Sequence, residues 1–273
     1  ITVGGKAVKA VALPTKQGIL YVFDRVTGVP VWPFEERAVE KGEVPGEWYA
    51  PTQPIPTKPA AYARNGVTLN DLIDFTPALK EAGLAVASRF KLGPIFTPPV
   101  LSKADGPLAT LSNGPTNGGS NWPGGSFDPE THIVYLAATN ASPSPLGLVV
   151  PAKGVSDMNY VRGFAPPPGG GRGGASMSVQ GLPLLKPPYG TITAINLDNG
   201  EFVWQVPHGE TPDAIRNHEA LKGLTIPRTG QAGYSGTLVT KTLVIAGDPE
   251  VTTLAPRARS AVLRAYDKAT GKE

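Results

Sequence analysis

A chain of 273 residues with 33 Gly, 30 Pro, no Cys and a formal net charge of +3 is long enough to bury a full core without staples. That charge is too small, and too free of basic runs, to address nucleic acid. The lack of cysteine excludes disulfides and thiolate metal sites and fits an exported bacterial protein, while Gly and Pro at this density suit short strands and turns better than a helical bundle.

No apolar run approaches the roughly 20 residues of a membrane helix, and no basic start, apolar middle and small-residue cleavage site marks a leader. The chain opens at Ile1 in strand-like sequence and stops at Glu273 in mid-motif, so it reads as a piece of something longer. The first strand pair is expected over residues 7–14 and 18–24, joined by Thr15-Lys16-Gln17-Gly18. Asp24-Arg25-Val26-Thr27-Gly28 then leads to Trp32. The same frame returns from Asn196 through Gly200 to Trp204, and again from Asp267 through Gly271, cut before its aromatic position. A weaker cousin runs from Asp128 through Thr131-His132 to Tyr135. Each pairs two strands through a turn led by Asp or Asn, usually with a Gly able to take a left-handed conformation. In both complete copies the Trp falls eight residues after the first Asp or Asn. Such a periodic turn-and-aromatic motif marks the four-stranded units of a β-propeller; four unrelated hairpins are the plainer alternative.

Between these units the chain inserts. Residues 33–67 are Pro-rich with little periodicity and read as an irregular surface excursion. Thr76-Pro77 starts a helix over about 77–91, with Leu79, Leu84, Ala87 and Phe90 near a 3.6-residue period and Gly93-Pro94 as the stop. The stretch 111–136 places Gly118-Gly119 and Gly124-Gly125 around Asn121-Trp122, glycines that permit close backbone approach. Core packing is the commoner fate of an indole beside such a run; a platform for a flat ligand is the other. Residues 165–174 (APPPGGGRGG) read as a flexible loop and not a phosphate cradle, because no strand precedes them and no helix follows. Gly233-Tyr234-Ser235-Gly236 lacks the spacing and context of a nucleophile elbow. His132, His208 and His218 form no metal spacing with one another or with carboxylates, so satisfied structural roles are expected.

Taken together, Pro14-Thr15-Lys16-Gln17-Gly18 with Asp24 to Gly28, Pro45-Gly46-Glu47 with Ala50-Pro51-Thr52-Gln53-Pro54, Gly93 to Pro99, Asn117 to Trp122, Tyr189 to Trp204, and Leu263 to Glu273 resemble the PQQ-dependent (quinoprotein) dehydrogenases, in particular the membrane-type glucose dehydrogenase group. The resemblance covers nearly the whole chain. It implies an all-β fold, a partial eight-bladed β-propeller supplying about half the ring at about 40–50 residues per blade, with an irregular and helical insertion at 33–99. It implies a periplasmic enzyme that oxidises a sugar or alcohol with PQQ and a divalent cation, calcium or magnesium, and passes electrons to ubiquinone or a cytochrome. Any membrane anchor is expected outside this chain. The metal ligands and catalytic base are expected upstream of the Lys16 region, so these residues alone are expected to be inactive.

A lone Lys in a tight turn is ordinarily a solvated tip. The resemblance instead aims Lys16 at the ortho-quinone oxygens, where a fixed cation stabilises charge built up on reduction. Asn117 resembles the amide beside the same oxygens, with Asn121 as the competing choice. Trp122 either walls the pocket or packs. Trp32 and Trp204 are expected to lock neighbouring blades. The alternative function is a non-catalytic propeller scaffold, which has no need of Lys16, Asn117 or the long insertion.

Overall fold

The computed structural model describes residues 1–113, 118–141, 143–169, 174–254, 256 and 258–273. One repeating unit is complete. Its strands Gly125–Asp128, Ile133–Thr139, Gly190–Asn196 and Glu201–Pro207 form an antiparallel sheet in chain order. After it, Thr237–Val239, Leu243–Gly247 and Leu263–Asp267 make three strands of the next unit. Before it, Ala10–Pro14 pairs with Leu20–Asp24, and Phe23 is bridged to Pro30. These are propeller blades, one whole and two in part.

The second strand of the complete blade reads IVYLAAT and is buried at every position, the pattern of a strand covered on both faces. Its residues alternate between two cores, as strand geometry requires. Val134, Leu136 and Ala138 face Leu20, Val22 and Tyr62 of the preceding region. Ile133, Tyr135 and Ala137 face Val244, Ala246 and Tyr266 of the following blade.

The predicted turns recur as Asx turns. Asp24 Oδ1 accepts from the amides of Val26 and Thr27 (2.8 and 3.2 Å), and Gly28 N–H donates to the Asp24 carbonyl at 2.8 Å. Asp267 repeats this with Ala269, Thr270 and Gly271. In the Asp128 turn His132 occupies the left-handed position, with φ 56°. Each complete Trp packs on the Gly of the next frame. A Cβ on Gly200 would lie 3.1 Å from Trp32 Cζ2, and one on Gly271 would lie 2.8 Å from Trp204 Cδ2. Trp204 is buried, as expected; Trp32 is half-buried.

The insertions differ from the reading of their sequence. Residues 33–67 are not wholly irregular: Phe34–Ala38 and Thr52–Pro56 form an antiparallel hairpin. The helix spans Pro77–Ala87, with Thr76 Oγ1 accepting from Leu79 N–H at 3.1 Å. It stops short of residue 91 because Ser88 caps it and Phe90–Lys91 pairs in parallel with Ala109–Thr110. Leu79, Gly83 and Ala87 form its buried face, and Leu84 stays exposed. The chain also leaves the complete blade between Thr139 and Gly190, and this second excursion joins the first. Ser144–Val149 pairs with both Ala109–Ser112 and Val100–Leu101, and Leu72 is bridged to Leu185. The two excursions share one core that includes Val67, Ile73, Leu111, Leu182 and Tyr189. Of the expected loop 165–174, residues 170–173 lie outside the described residues.

Two outcomes follow for blade docking. Trp204→Ala should cost about 3–5 kcal/mol, and Gly271→Ala should be strongly non-additive with it, a coupling of about 0.5–3 kcal/mol in a denaturant-unfolding cycle. Purely additive losses would dissociate the glycine from the indole. The buried Asp128 carboxylate pairs with Lys268 at 2.6 Å. Burial pushes its pKa up, but the Lys268 ammonium and the Thr131 hydroxyl pull harder and leave it below the ordinary value. This pair's stability is therefore full above the unfolded pKa of about 3.9 and lost as pH falls through the lower folded value. Asp128→Asn should flatten the acid limb of a melting-temperature profile.

Candidate functional site

The strand registers sort the loops to two ends. The Asx turns lie at one. At the other, the pairings of Pro14 with Leu20, Gly125 with Leu136, Thr139 with Gly190, and Gly247 with Leu263 gather the Lys16 turn, residues 118–125, 139–140, 189–190 and the approach to Thr237. Backbone bonds stitch these together. Gly119 N–H donates to the Lys16 carbonyl (2.7 Å), Thr139 N–H to the Gly119 carbonyl (2.7 Å), and Asn140 N–H to the Tyr189 carbonyl (2.8 Å).

Lys16 is thus positioned through its main chain. Gly18 N–H closes the turn on the Thr15 carbonyl at 3.0 Å, Gly18 adopts φ +71°, and Tyr62 Oη donates to the Thr15 carbonyl at 3.1 Å. Burial raises the Tyr62 phenol to about 12, keeping it a donor. Asn65 Nδ2 donates to the Gln17 carbonyl at 3.1 Å. The Lys16 side chain is exposed and runs along Gly118, where a Cβ would sit 2.9 Å from its Cγ. The glycine pair is needed for close approach: a Cβ on Gly18 or on Gly119 would fall 2.6 Å from Ala63 Cβ.

Asn117 lies outside the described residues, and so does its approach to Lys16. Asn121 is half-buried, and its Oδ1 accepts from Trp122 N–H at 3.0 Å. Trp122 corrects the core expectation: it is 98% exposed. It stands between Asn121 and Pro123, ahead of Gly124 and Gly125, with its ring open to solvent. Sequence reasoning missed Tyr62, Ala63 and Asn65, which sit in aperiodic Pro-rich sequence, and Tyr234, whose hydroxyl donates to the Gly118 carbonyl at 3.4 Å.

An exposed ammonium, an amide and an exposed indole beside glycines that bare the backbone suit a flat, anionic, oxygen-bearing ring. Among the described residues, no group of three His, Cys, Asp or Glu is placed to hold a metal ion. Of the histidines, His132 pairs with Asp198 at 2.9 Å. Buried His208 lies 2.9 Å from the Tyr266 hydroxyl and 3.0 Å from the Gly247 carbonyl, and burial lowers its pKa. His218 bonds the Gln180 carbonyl. Two open pockets lie beside this end. One of about 500 Å³ reaches Ile19 and Asn65, and one of about 580 Å³ lies in the seam between Ala12 and Leu136.

A family model described as the β-propeller domain of PQQ glucose/ethanol/alcohol dehydrogenases matches residues 1–273. The chain is similar to a probable quinate dehydrogenase (quinone) of Xanthomonas campestris pv. juglandis, 31% identical over 98% of this chain and 33% of that protein. It is similar to the glycerol dehydrogenase large subunit of Gluconobacter thailandicus, 32% identical over 75% of this chain and 30% of that one. To the quinoprotein glucose dehydrogenase of Escherichia coli it is 28% identical, over 79% of this chain and 27% of that one. The chain therefore spans about a third of the length of these relatives.

The shared clash at Ala63 makes a rescue test. Gly119→Ala should lower the melting temperature, and Ala63→Gly in the same molecule should restore most of it. Gly18→Ala should be rescued only in part, because its left-handed backbone still costs about 1–2 kcal/mol with a Cβ.

Proposed function

The chain belongs to the family of the PQQ glucose/ethanol/alcohol dehydrogenase β-propeller domain, and we propose that it furnishes one wall of the PQQ site in a periplasmic dehydrogenase that oxidises a sugar or another polyhydroxylated alcohol. The observation that carries this reading is the exposed Lys16 held by backbone bonds against the Gly118-Gly119 segment, with Asn121 and the exposed Trp122 at the same end of the blades. The relatives named for quinate, glycerol and glucose support the polyol class. Glucose-like sugars are one member of it. A quinone or cytochrome takes the electrons onward. No described helix is long and apolar enough to cross a membrane.

PQQ, when bound, supplies the two-electron sink. The chain's residues would hold and polarise it. Lys16 would supply a fixed positive charge for the quinone oxygens, which would favour reduction and is worth more where water is excluded. An amide from the 117–121 segment, Asn117 or Asn121, would donate a hydrogen bond, and Trp122 would provide an aromatic surface for the ring. The ligands of a divalent cation, calcium or magnesium, and the proton-accepting carboxylate would come from elsewhere in the full-length protein.

In the PQQ- and calcium-loaded full-length protein, Lys16→Ala should lower dye-linked turnover about 10²–10³-fold and leave the melting temperature nearly unchanged. Undiminished turnover would remove Lys16 from the site and favour the scaffold. Asn117→Ala and Asn121→Ala, compared for PQQ affinity, assign the amide.

A further inference from the structure

The turn that carries Lys16 is held at four consecutive carbonyls by donors from outside its own hairpin. The Thr15 carbonyl accepts from Tyr62 Oη (3.1 Å), the Lys16 carbonyl from Gly119 N–H (2.7 Å), the Gln17 carbonyl from Asn65 Nδ2 (3.1 Å) and the Gly18 carbonyl from Tyr62 N–H (2.8 Å). Two short segments therefore set its stance, residues 62–65 on one side and Gly119 on the other.

Arg64 ties those two segments together. Its N–H donates to Asn140 Oδ1 at 2.7 Å, and its guanidinium Nη1 donates to the carbonyls of Asn140 (3.0 Å) and Lys186 (3.1 Å). Its Nε pairs with Asp71 at 3.2 Å. Asn140 follows Thr139, whose N–H donates to the Gly119 carbonyl at 2.7 Å. The bonds thus run in a closed ring: from Lys16 to Gly119, through Thr139 to Asn140, across to Arg64 and Asn65, and back to Gln17. Ala63, next to Arg64, is the residue against which both Gly18 and Gly119 close in.

The ring is built from buried groups. Asn140 is buried and the Arg64 side chain is largely so, so each broken bond would leave an acceptor unpaired away from water. The planar guanidinium spans two carbonyls and a carboxylate at once, which the single ammonium of a lysine does not reproduce. Nε and Nη1 are committed to the chain, so Arg64 acts through the turn it steadies. That steadiness has a use, because the attraction between a cation and a ligand oxygen falls with their separation and a misplaced group forfeits it. We propose that Arg64, with Asn140, is a positioning residue for the cofactor: the pair closes the ring that fixes Lys16 and the Gly119 segment, and so sets the affinity for PQQ. The inference deepens the proposed function and rests on it for its ligand.

The test compares the full-length wild type with Arg64→Lys, Asn140→Ala, Asn140→Asp, Lys16→Ala and the double variant Arg64→Lys/Lys16→Ala. Arg64→Lys keeps a positive charge opposite Asp71, and Asn140→Asp keeps the oxygen that accepts from Arg64 N–H. Two quantities are measured: amide hydrogen exchange at Gly18 and Gly119 without PQQ, and PQQ affinity by titration in calcium. Arg64→Lys and Asn140→Ala should speed exchange at both amides and weaken PQQ binding about three- to tenfold, the worth of one hydrogen bond. Asn140→Asp should restore both toward the wild type. In the Lys16→Ala background, Arg64→Lys should lose most of its effect on PQQ affinity, the non-additivity of residues that act through one another. Additive losses of affinity, or unchanged exchange at Gly18 and Gly119, overturn the inference even if the melting temperature falls. A wild type that binds no PQQ removes the proposed function; exchange at the two glycines then decides by itself whether Arg64 positions the Lys16 turn, so the two fail separately.

Discussion

The seating of Trp204 on the Gly271 turn is the contact on which the rest of the arrangement depends. Its indole N–H donates to the Lys268 carbonyl at 3.0 Å, and Tyr135 Oη donates to the same carbonyl at 3.2 Å. The Lys268 ammonium returns to Asp128 of the complete blade. One turn thus receives an aromatic face, two hydrogen bonds and an ion pair from its neighbour. The glycine is required twice, for the left-handed φ of +71° and for the space under the indole. Trp32 on Gly200 repeats the packing one blade earlier. Because the contact is a repeating unit of the chain, each blade orients the next, and the apolar faces of adjacent sheets meet in register.

The opposite end is joined differently. There Arg264, 4% exposed, lies among Asp248, Glu210 and Glu273. Burial pulls its pKa down, but the three carboxylates outweigh that and hold it raised. A buried cation so surrounded is worth little as net stability, yet stripping one partner leaves uncompensated charge. It therefore fixes geometry more than it adds free energy. Lys16, on the same end, is set by backbone bonds and its side chain is left exposed.

What was legible in the sequence was what repeats. The Asp24, Asn196 and Asp267 frames announced the blades because local Asx chemistry and a fixed interval to Trp are written within nine residues. The Thr76-Pro77 helix start was legible for the same reason. Its end was not: the parallel pairing of Phe90–Lys91 with Ala109–Thr110 depends on residues about twenty positions away. The hairpin Phe34–Ala38/Thr52–Pro56 hid behind prolines that edge strands tolerate. Trp122 misled because burial statistics describe indoles in general, whereas this one stands open to solvent. Tyr62 and Ala63 carry no local signal, since Tyr62 matters through its bonds to the Thr15 and Gly18 carbonyls and Ala63 through the space it takes beside Gly18 and Gly119.

The two ends divide the work of the fold. The frames that hold blade to blade use Asp, Thr, Gly and Trp at the end remote from Lys16, so the loops at the Lys16 end carry no part of that docking. They are consequently able to differ in length and chemistry without loosening the ring, and both large excursions, 65–113 and 140–189, leave from that end. Their mutual pairing through Ser144–Val149 and Ala109–Ser112 turns two loops into one folded body with its own core. Loops alone would lose backbone entropy for each ordered residue; fused around Ile73, Leu111 and Tyr189, they hold Phe96, at φ 69°, on the flank of the Lys16 turn beside Ile19. A chain that keeps its repeats rigid at one end can therefore build chemistry at the other from sequence that shows no repeat at all.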